Sequence, residues 1–149
     1  MTTRSRKKDR LLYWRVVVDT NVFLGGVLWP KSVSGKILQL WKRNRLQLFL
    51  NDDIRFEYLD VLGRFVESNV LRRWQNWLAY PGKAGIVHTH LPHYSELRDP
   101  TDNPFLATAV FAQAHYLISR DKDLLVLKKF HGVEIVKPEE FMKRHRANR

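Results

Sequence analysis

The sequence predicts an α/β fold with a mostly parallel central sheet covered by helices on both faces. Three observations carry this expectation. Leu12–Asp19 ends in Val16-Val17-Val18 and shows no apolar–polar alternation, as a strand buried on both faces requires. Strand-like and helix-like segments then alternate along the chain, the pattern of parallel strands joined by crossover helices. Finally, 149 residues with 44% hydrophobic content suffice for one ordinary core.

The elements follow in order. After the strand Leu12–Asp19, Ser32 or Ser34 is placed to cap a helix whose Ile37, Leu38, Leu40 and Trp41 recur at helical spacing. Leu46–Leu50 is the second strand. Asn51 or Asp52 caps a helix running to about Phe65, with Ile54, Tyr58, Leu59 and Leu62 as its apolar stripe. Another helix starts at Ser68, presents Val70, Leu71, Trp74 and Leu78, and stops at Pro81-Gly82. Gly85–Leu91 is a third strand. The polar turn Arg98–Pro104 opens a small-residue helix from about Phe105 to Ala114. Pro104 fits there because the first helical turn does not use its missing N–H. Tyr116–Ser119 is a strand, Lys122–Lys129 a short helix, Val133–Val136 a strand, and Pro138 begins the last helix.

Composition removes several functional classes. The absence of cysteine excludes a disulfide scaffold, a thiolate zinc site and a cysteine nucleophile. No apolar run is long enough to span a bilayer, and no secretory h-region follows the basic start Met1–Arg10, so a cytoplasmic protein is expected. The net charge of +11 is concentrated at the ends. Residues 1–15 hold six basic groups against one acid, and residues 137–149 five against two. Cationic ends on a nearly balanced body suit a polyanionic partner, through release of counterions from phosphates. The competing reading is a tail that only aids solubility.

In a parallel sheet, ligand sites lie beyond the carboxyl ends of the strands. Asp19 ends the first strand, and Asp121 follows Tyr116–Ser119 with Asp123 two residues on. Asp102 stands at the mouth of the following helix, and Glu57 lies about one and a half turns into the helix after the second strand. Each alone reads as an Asx turn, an N-cap or a solvated helix residue. Together on one rim they would repel, and a hard divalent cation with oxygen ligands is the natural compensation. Such a cation activates water and neutralises charge on a phosphodiester.

The segments VVVDTNVFLGGVLWP, LFLNDDIRFEYLDVL, RDPTDNPFLATAVFAQAHYLISRDKDLLVL and GVEIVKPEEF resemble, in this order and spacing, the PIN domain. The branch they resemble most is that of VapC-like toxins of toxin–antitoxin pairs. The resemblance covers residues 15–142, leaving a basic N-terminal extension at 1–14 and a basic tail at 143–149. It implies a three-layer α/β/α PIN-like fold and an endoribonuclease that uses Mg²⁺ or Mn²⁺ on single-stranded RNA. It further implies catalytic roles for Asp19, Glu57, Asp102 and Asp121, and cation ligation by Asp19, Asp102, Asp121 and Asp123. Thr20, Asn21 and Ser119 would orient those ligands. A homodimer and a cognate antitoxin partner belong to the same implication. Two positions depart from the branch: Asn51 stands where Ser is commoner, and Pro104 follows the third acid in place of a long polar residue. With Pro104 there, Asp99 is the alternative to Asp102.

Arg15, Lys42, Arg43, Arg45 and Arg120 are the candidate contacts to a phosphate backbone. For Lys42–Arg45 the competing reading is a solvated helix C-terminus that favours the helix dipole. Trp74 and Trp77, with Phe65, read as core or dimer interface rather than as base-stacking platforms. His88, His90 and His93 suggest zinc, since His88 and His90 would share one face of a strand, but only Glu96 stands near enough in sequence to help. The rival functional readings are a DNA or structure-specific nuclease with the same acids and a non-catalytic module that binds RNA or protein.

Overall fold

The structure, a computed structural model, describes residues 13–79 and 82–147; the basic run before Tyr13, the Pro81 helix stop and residues 148–149 lie outside the described residues. β1 (Trp14–Val18) leads directly into α1 (Thr20–Leu28) and α2 (Val33–Lys42). Then come β2 (Leu46–Asn51), α3 (Asp52–Leu62), α4 (Ser68–Ala79), β3 (Ala84–Val87) and a single 3-10 turn, Pro100–Asp102. The chain continues through α5 (Asn103–Phe111), β4 (Tyr116–Ile118), α6 (Lys122–Leu125), β5 (Lys129–Phe130), β6 (Val133–Val136) and α7 (Pro138–Ala147). The strand order is β3-β2-β1-β4-β6-β5, parallel throughout except for β5, which returns antiparallel on β6. Helices flank this sheet in a three-layer α/β/α arrangement.

Burial explains why β1 is continuous in its apolarity. Val16, Val17 and Val18 all have zero exposure, so both faces of the central strand are covered. α5 crosses β1, β2 and β4, and its buried Ala107 and Ala109 let the helix lie close to the sheet. α1 packs on α2 and α3, and α2 in turn meets α7. Phe23 of α1 stacks on Tyr58 of α3 with centroids 4.1 Å apart, and Trp74 of α4 meets Phe23 edge-on. Trp74 and Trp77 therefore belong to the aromatic core, whereas Phe65 is 60% exposed and does not join them. No described helix is long and apolar enough to cross a membrane.

Several elements differ from the sequence expectation. α1 was not foreseen, because Gly25-Gly26 lowers helix propensity in the middle of an apolar run. Packing overrides that cost: a Cβ on Gly26 would lie 2.7 Å from Leu38 Cδ1 and 2.8 Å from the Ser34 carbonyl oxygen, so only glycine lets α1 dock on α2. α3 ends at Leu62 rather than Phe65, with Gly63 as its C-cap. β3 spans only Ala84–Val87, so His88 and His90 are not strand neighbours. α5 begins at Asn103 and stops at Phe111, with Gln113 at positive φ just beyond. α6 stops at Leu125, short of Lys128, whose φ is 60°.

Ser32, not Ser34, caps α2: its Oγ accepts from the Gly35 N–H at 3.1 Å. That first turn is tight. A Cβ on Gly35 would sit 2.2 Å from the Pro30 carbonyl oxygen, a backbone atom that cannot swing away. Gly35→Ala should therefore destabilise the domain by about 1–3 kcal/mol, the range for overpacking. Urea unfolding measures it, and an unchanged midpoint would show that the turn relaxes freely.

Candidate active site

The strand order changes direction at β1. From there the chain builds outward to β2 and β3, and later returns to add β4 and β6 on the other side. Val18 pairs with Ile118 across this junction, and the Asp19 N–H donates to the Ile118 carbonyl at 3.1 Å. The crevice of a doubly wound sheet opens at such a switch point. A cavity of about 280 Å³ lies here, lined by Asp19, Glu57, Asp102, Asp121, Thr20 and Asn21 among others. Arg120 also lines it.

Local structure places each acid. Asp19 caps α1, its Oδ1 accepting from the Val22 N–H at 3.0 Å. Its Oδ2 accepts from the Ser119 hydroxyl. The Ser119 Oγ also accepts the Asp121 N–H at 2.9 Å, so this buried serine ties the end of β1 to the loop after β4. Asp121 in turn caps α6 through the Asp123 N–H at 2.9 Å. Beneath Asp19 the fully buried Tyr58 hydroxyl donates to the Val18 carbonyl and anchors the same strand end to α3. Burial holds the Tyr58 phenol well above its usual range, reinforced by the charges of Asp19 and Glu57. Glu57 reaches the cavity from the exposed side of α3.

Asp102 differs from the others. It stands at the N-cap of α5 yet makes no side-chain capping bond. Its carboxyl is buried at 8% exposure, and Oδ2 has no hydrogen-bond partner in the protein. Burial pushes its pKa up to about 7, and the neighbouring charges of Asp121, Asp99 and Asp123 add to the effect. Asp19 is raised as well, by burial above all, against the lowering effect of the Ser119 hydroxyl and the Val22 N–H. The Thr20 hydroxyl, on the same cavity, is a second buried polar atom without a partner. Unpaired buried oxygens beside carboxyls raised by burial, and further by one another's charge, suit a hard cation, whose charge would offset both.

Among the described residues, the group of carboxylates with oxygens within 4.8 Å of one another is Asp99, Asp102 and Asp123. Asp102 thus belongs to two sets: it shares the cavity with Asp19 and Asp121, and its carboxylate lies within 4.8 Å of those of Asp99 and Asp123. The sequence offers Asp99 as the alternative to Asp102; in the fold the two carboxylates lie together, beside Asp123. One Asp99 oxygen, Oδ1, is engaged by the Thr101 N–H and hydroxyl at 3.0 and 2.8 Å, and these bonds hold its pKa down. Thr101, Val61 and Phe105 also line the cavity, and no local sequence signal marked them.

The basic candidates divide by position. Arg120 lines the cavity and is paired with Glu139. Arg15 lies near the start of β1 and donates to the Gln113 carbonyl at 2.9 and 3.1 Å, away from the acids. Lys42, Arg43 and Arg45 precede β2, at the opposite edge of the sheet from the acids. His88 lies 3.8 Å from Asp52 on the surface, and no carboxylate–histidine group of metal-binding compactness occurs among the described residues.

Residues 15–123 match the PIN domain, well over half of the chain. The chain belongs to the PIN-domain family. PIN domains are typically metal-dependent nucleases, and the acidic cluster described above lies wholly inside the matched segment. An uncharacterized protein of Methanocaldococcus jannaschii is 29% identical over 118 residues, covering 76% of this chain and 75% of its own length. It assigns no activity within the PIN-domain family.

The Asp102 carboxyl makes the metal-free PIN domain sensitive to pH. In the unfolded chain it loses its proton near the ordinary value of 3.8, in the folded domain near 7. Between those values folding takes up a proton, so stability falls as pH rises from about 4 to about 7 and levels off above. Thermal melts in EDTA should show this fall for wild type, and a shallower one for Asp102→Asn. At pH 7.5, millimolar Mn²⁺ should raise the wild-type melting temperature, since ligand binding to the folded state stabilises it. Parallel pH profiles for the two proteins, with no response to Mn²⁺, would count against this account.

Proposed function

We propose that this PIN domain is a Mg²⁺- or Mn²⁺-dependent endoribonuclease that hydrolyses single-stranded RNA and acts as the toxin of a toxin–antitoxin pair. The observation that supports the metal-dependent part is the buried Asp102 carboxyl, whose Oδ2 has no hydrogen-bond partner, in a cavity shared with Asp19, Glu57 and Asp121. Asp19, Asp102, Asp121 and Asp123 are the ligand set, all oxygen donors suited to Mg²⁺ or Mn²⁺. A divalent cation bound there supplies Lewis-acid activation of water and offsets charge developing on the phosphodiester. Asp19 and Asp121 each have an oxygen committed to a helix cap, and Asp102 is buried. The exposed Glu57 is therefore the group free to accept a proton from the attacking water. Ser119 holds the Asp19 and Asp121 loops in register, and Thr20 and Asn21 border the same cavity. Arg120 is placed to meet a substrate phosphate if it exchanges its Glu139 partner.

The RNA and toxin parts rest on the resemblance of the DTN and SRDKDLL segments to VapC-like proteins. Residues 15–142 form the nuclease in this reading, with the basic segments 1–14 and 143–149 as accessory polyanion contacts. A cognate antitoxin, a homodimer and a cytoplasmic setting complete it. Unpaired bases suit the proposal because duplex RNA hides its base edges in a deep groove.

The test is digestion of matched single-stranded RNA, duplex RNA and single-stranded DNA in Mg²⁺, Mn²⁺ or EDTA. Cleavage confined to single-stranded RNA with metal is the expected outcome. Equal cleavage of DNA would transfer the site to a DNA or structure-specific nuclease. Binding without cleavage in either metal would favour a non-catalytic RNA-binding module. A small upstream reading frame encoding a protein with a DNA-binding N-terminal half, co-purifying with this chain, would support the toxin assignment.

A further inference from the structure

We infer that the PIN domain carries a second contact surface for single-stranded RNA at the edge of the sheet opposite the acids, where Lys42 and Lys83 lie against the indole of Trp77 and Arg43, Arg45 and Arg73 stand close to them in sequence. Lys42 Nζ lies 4.8 and 5.1 Å from the ring centroids of Trp74 and Trp77, and Lys83 Nζ lies 5.4 Å from those of Trp41 and Trp77. A cavity of about 320 Å³ opens between Lys42, Asn76, Trp77 and Lys83. A second, of about 290 Å³, continues along Lys83, Asn44 and Gln47 to Tyr13. Arg73 of α4, whose charge acts on Lys42, is exposed, as are Arg43 and Arg45, which follow Lys42 after α2.

Charge selects the occupant. None of Lys42, Arg43, Arg45, Arg73 and Lys83 forms an ion pair among the described residues. Burial, Arg73 and Lys83 all lower the Lys42 pKa, so like charges crowd here without a compensating carboxylate. Part of the patch has a local duty: Lys83 donates to the Trp41 and Lys42 carbonyls at 3.2 and 2.9 Å and so closes the end of α2. That duty accounts for Lys83 but not for the three arginines or for a half-buried indole bordering an open cavity. Cations that track a backbone beside an aromatic face are how proteins hold single strands without reading sequence. Tyr13, which also lines the second cavity, stands three residues after Arg10, where the basic run from Arg4 ends.

The surface is separate from the catalytic cavity. β2 joins the two edges, and its six residues span about 20 Å at the usual rise per residue. The inference takes from the proposed function only the class of polyanion, and its test runs without catalysis.

Fluorescence anisotropy of a labelled oligouridylate, in EDTA so that no strand is cut, measures binding. The variant Arg43→Ser, Arg45→Ser, Arg73→Ser keeps Lys83 and the core. It should bind at least about tenfold more weakly at low salt, with a shallower dependence on salt, because phosphate contacts release counterions. Trp77→Leu should weaken oligouridylate at least about fivefold, the scale of one stacked base, while binding inorganic polyphosphate as before. Lys31→Ser, Lys36→Ser, Lys129→Ser removes the same charge at exposed lysines bordering neither cavity and should bind nearly as wild type. Equal weakening in both triple variants would reduce the effect to net charge and overturn the surface. So would wild-type affinity in the arginine variant. Either result would leave the nuclease reading intact, which stands or falls on cleavage by the wild-type protein in metal. Loss of binding in the arginine variant supports the surface whether or not wild type cuts.

Discussion

Asp19→Asn should lower cleavage of single-stranded RNA in Mg²⁺ or Mn²⁺ by at least about a hundredfold, the scale lost with one strong transition-state contact. The fold should survive. Asn keeps an oxygen for the Val22 N–H, so α1 keeps its cap, and the Ser119 hydroxyl can turn to meet the amide. Melting should be unchanged or slightly higher in EDTA, because burial holds the native carboxyl above its ordinary pKa and the substitution removes that charged form. Asp121→Asn should behave alike. The double variant should be little worse than either, since ligands of one cation act as a unit. Asp60→Asn and Glu67→Gln, which lie outside the acidic cavity, should cut as wild type does. An Asp19→Asn protein that cuts like wild type would end the nuclease reading of this site.

Trp41→Ala should have the largest effect on stability, a loss of about 3–5 kcal/mol. Trp41 is 1% exposed and packs against Trp74 and Trp77, and its indole N–H donates to the Lys83 carbonyl at 2.7 Å. The substitution removes a large ring that cannot be replaced by relaxation and leaves that carbonyl without its donor. For a domain of this size the melting temperature should fall by about 10 °C or more. Phe65→Ala, at a residue 60% exposed, should stay within about 0.5 kcal/mol. A drop under about 3 °C for Trp41→Ala would mean that the aromatic cluster is not a unit of the core.

Much of the fold was legible because burial imposes period and apolarity directly on the sequence. Val16–Val18, Leu46–Leu50 and Val133–Val136 announced parallel strands, and the Ile54, Tyr58, Leu62 spacing announced α3. α1 was hidden because its glycines serve contact with α2, a tertiary demand that local propensity contradicts. β5 was hidden because two residues carry no period at all. At the site, the acids after β1 and β4 could be placed from the strand-end rule alone. The proximity of Asp99 to Asp123 could not, since it depends on how the loop before α5 folds back. The same rule separates the basic residues from the acids: Arg45 immediately precedes β2 and Arg15 falls near the start of β1, which puts both at the opposite end of the strands.

The hydrogen bond from Ser119 to Asp19 joins residues 100 apart in sequence, and β1 finds its second neighbour only in β4. During synthesis, a nascent chain that has exposed Asp19 and Glu57 still lacks Ser119, Asp121 and Asp123. Such non-local pairing is slow to form and cannot begin until β4 has been made. On the proposed reading, translation fragments that end before β4 lack Asp121 and Asp123, two of the four proposed ligands, and so should not cut. If the domain cuts RNA, its capacity to damage the messenger being read arises only after the ribosome has passed β4.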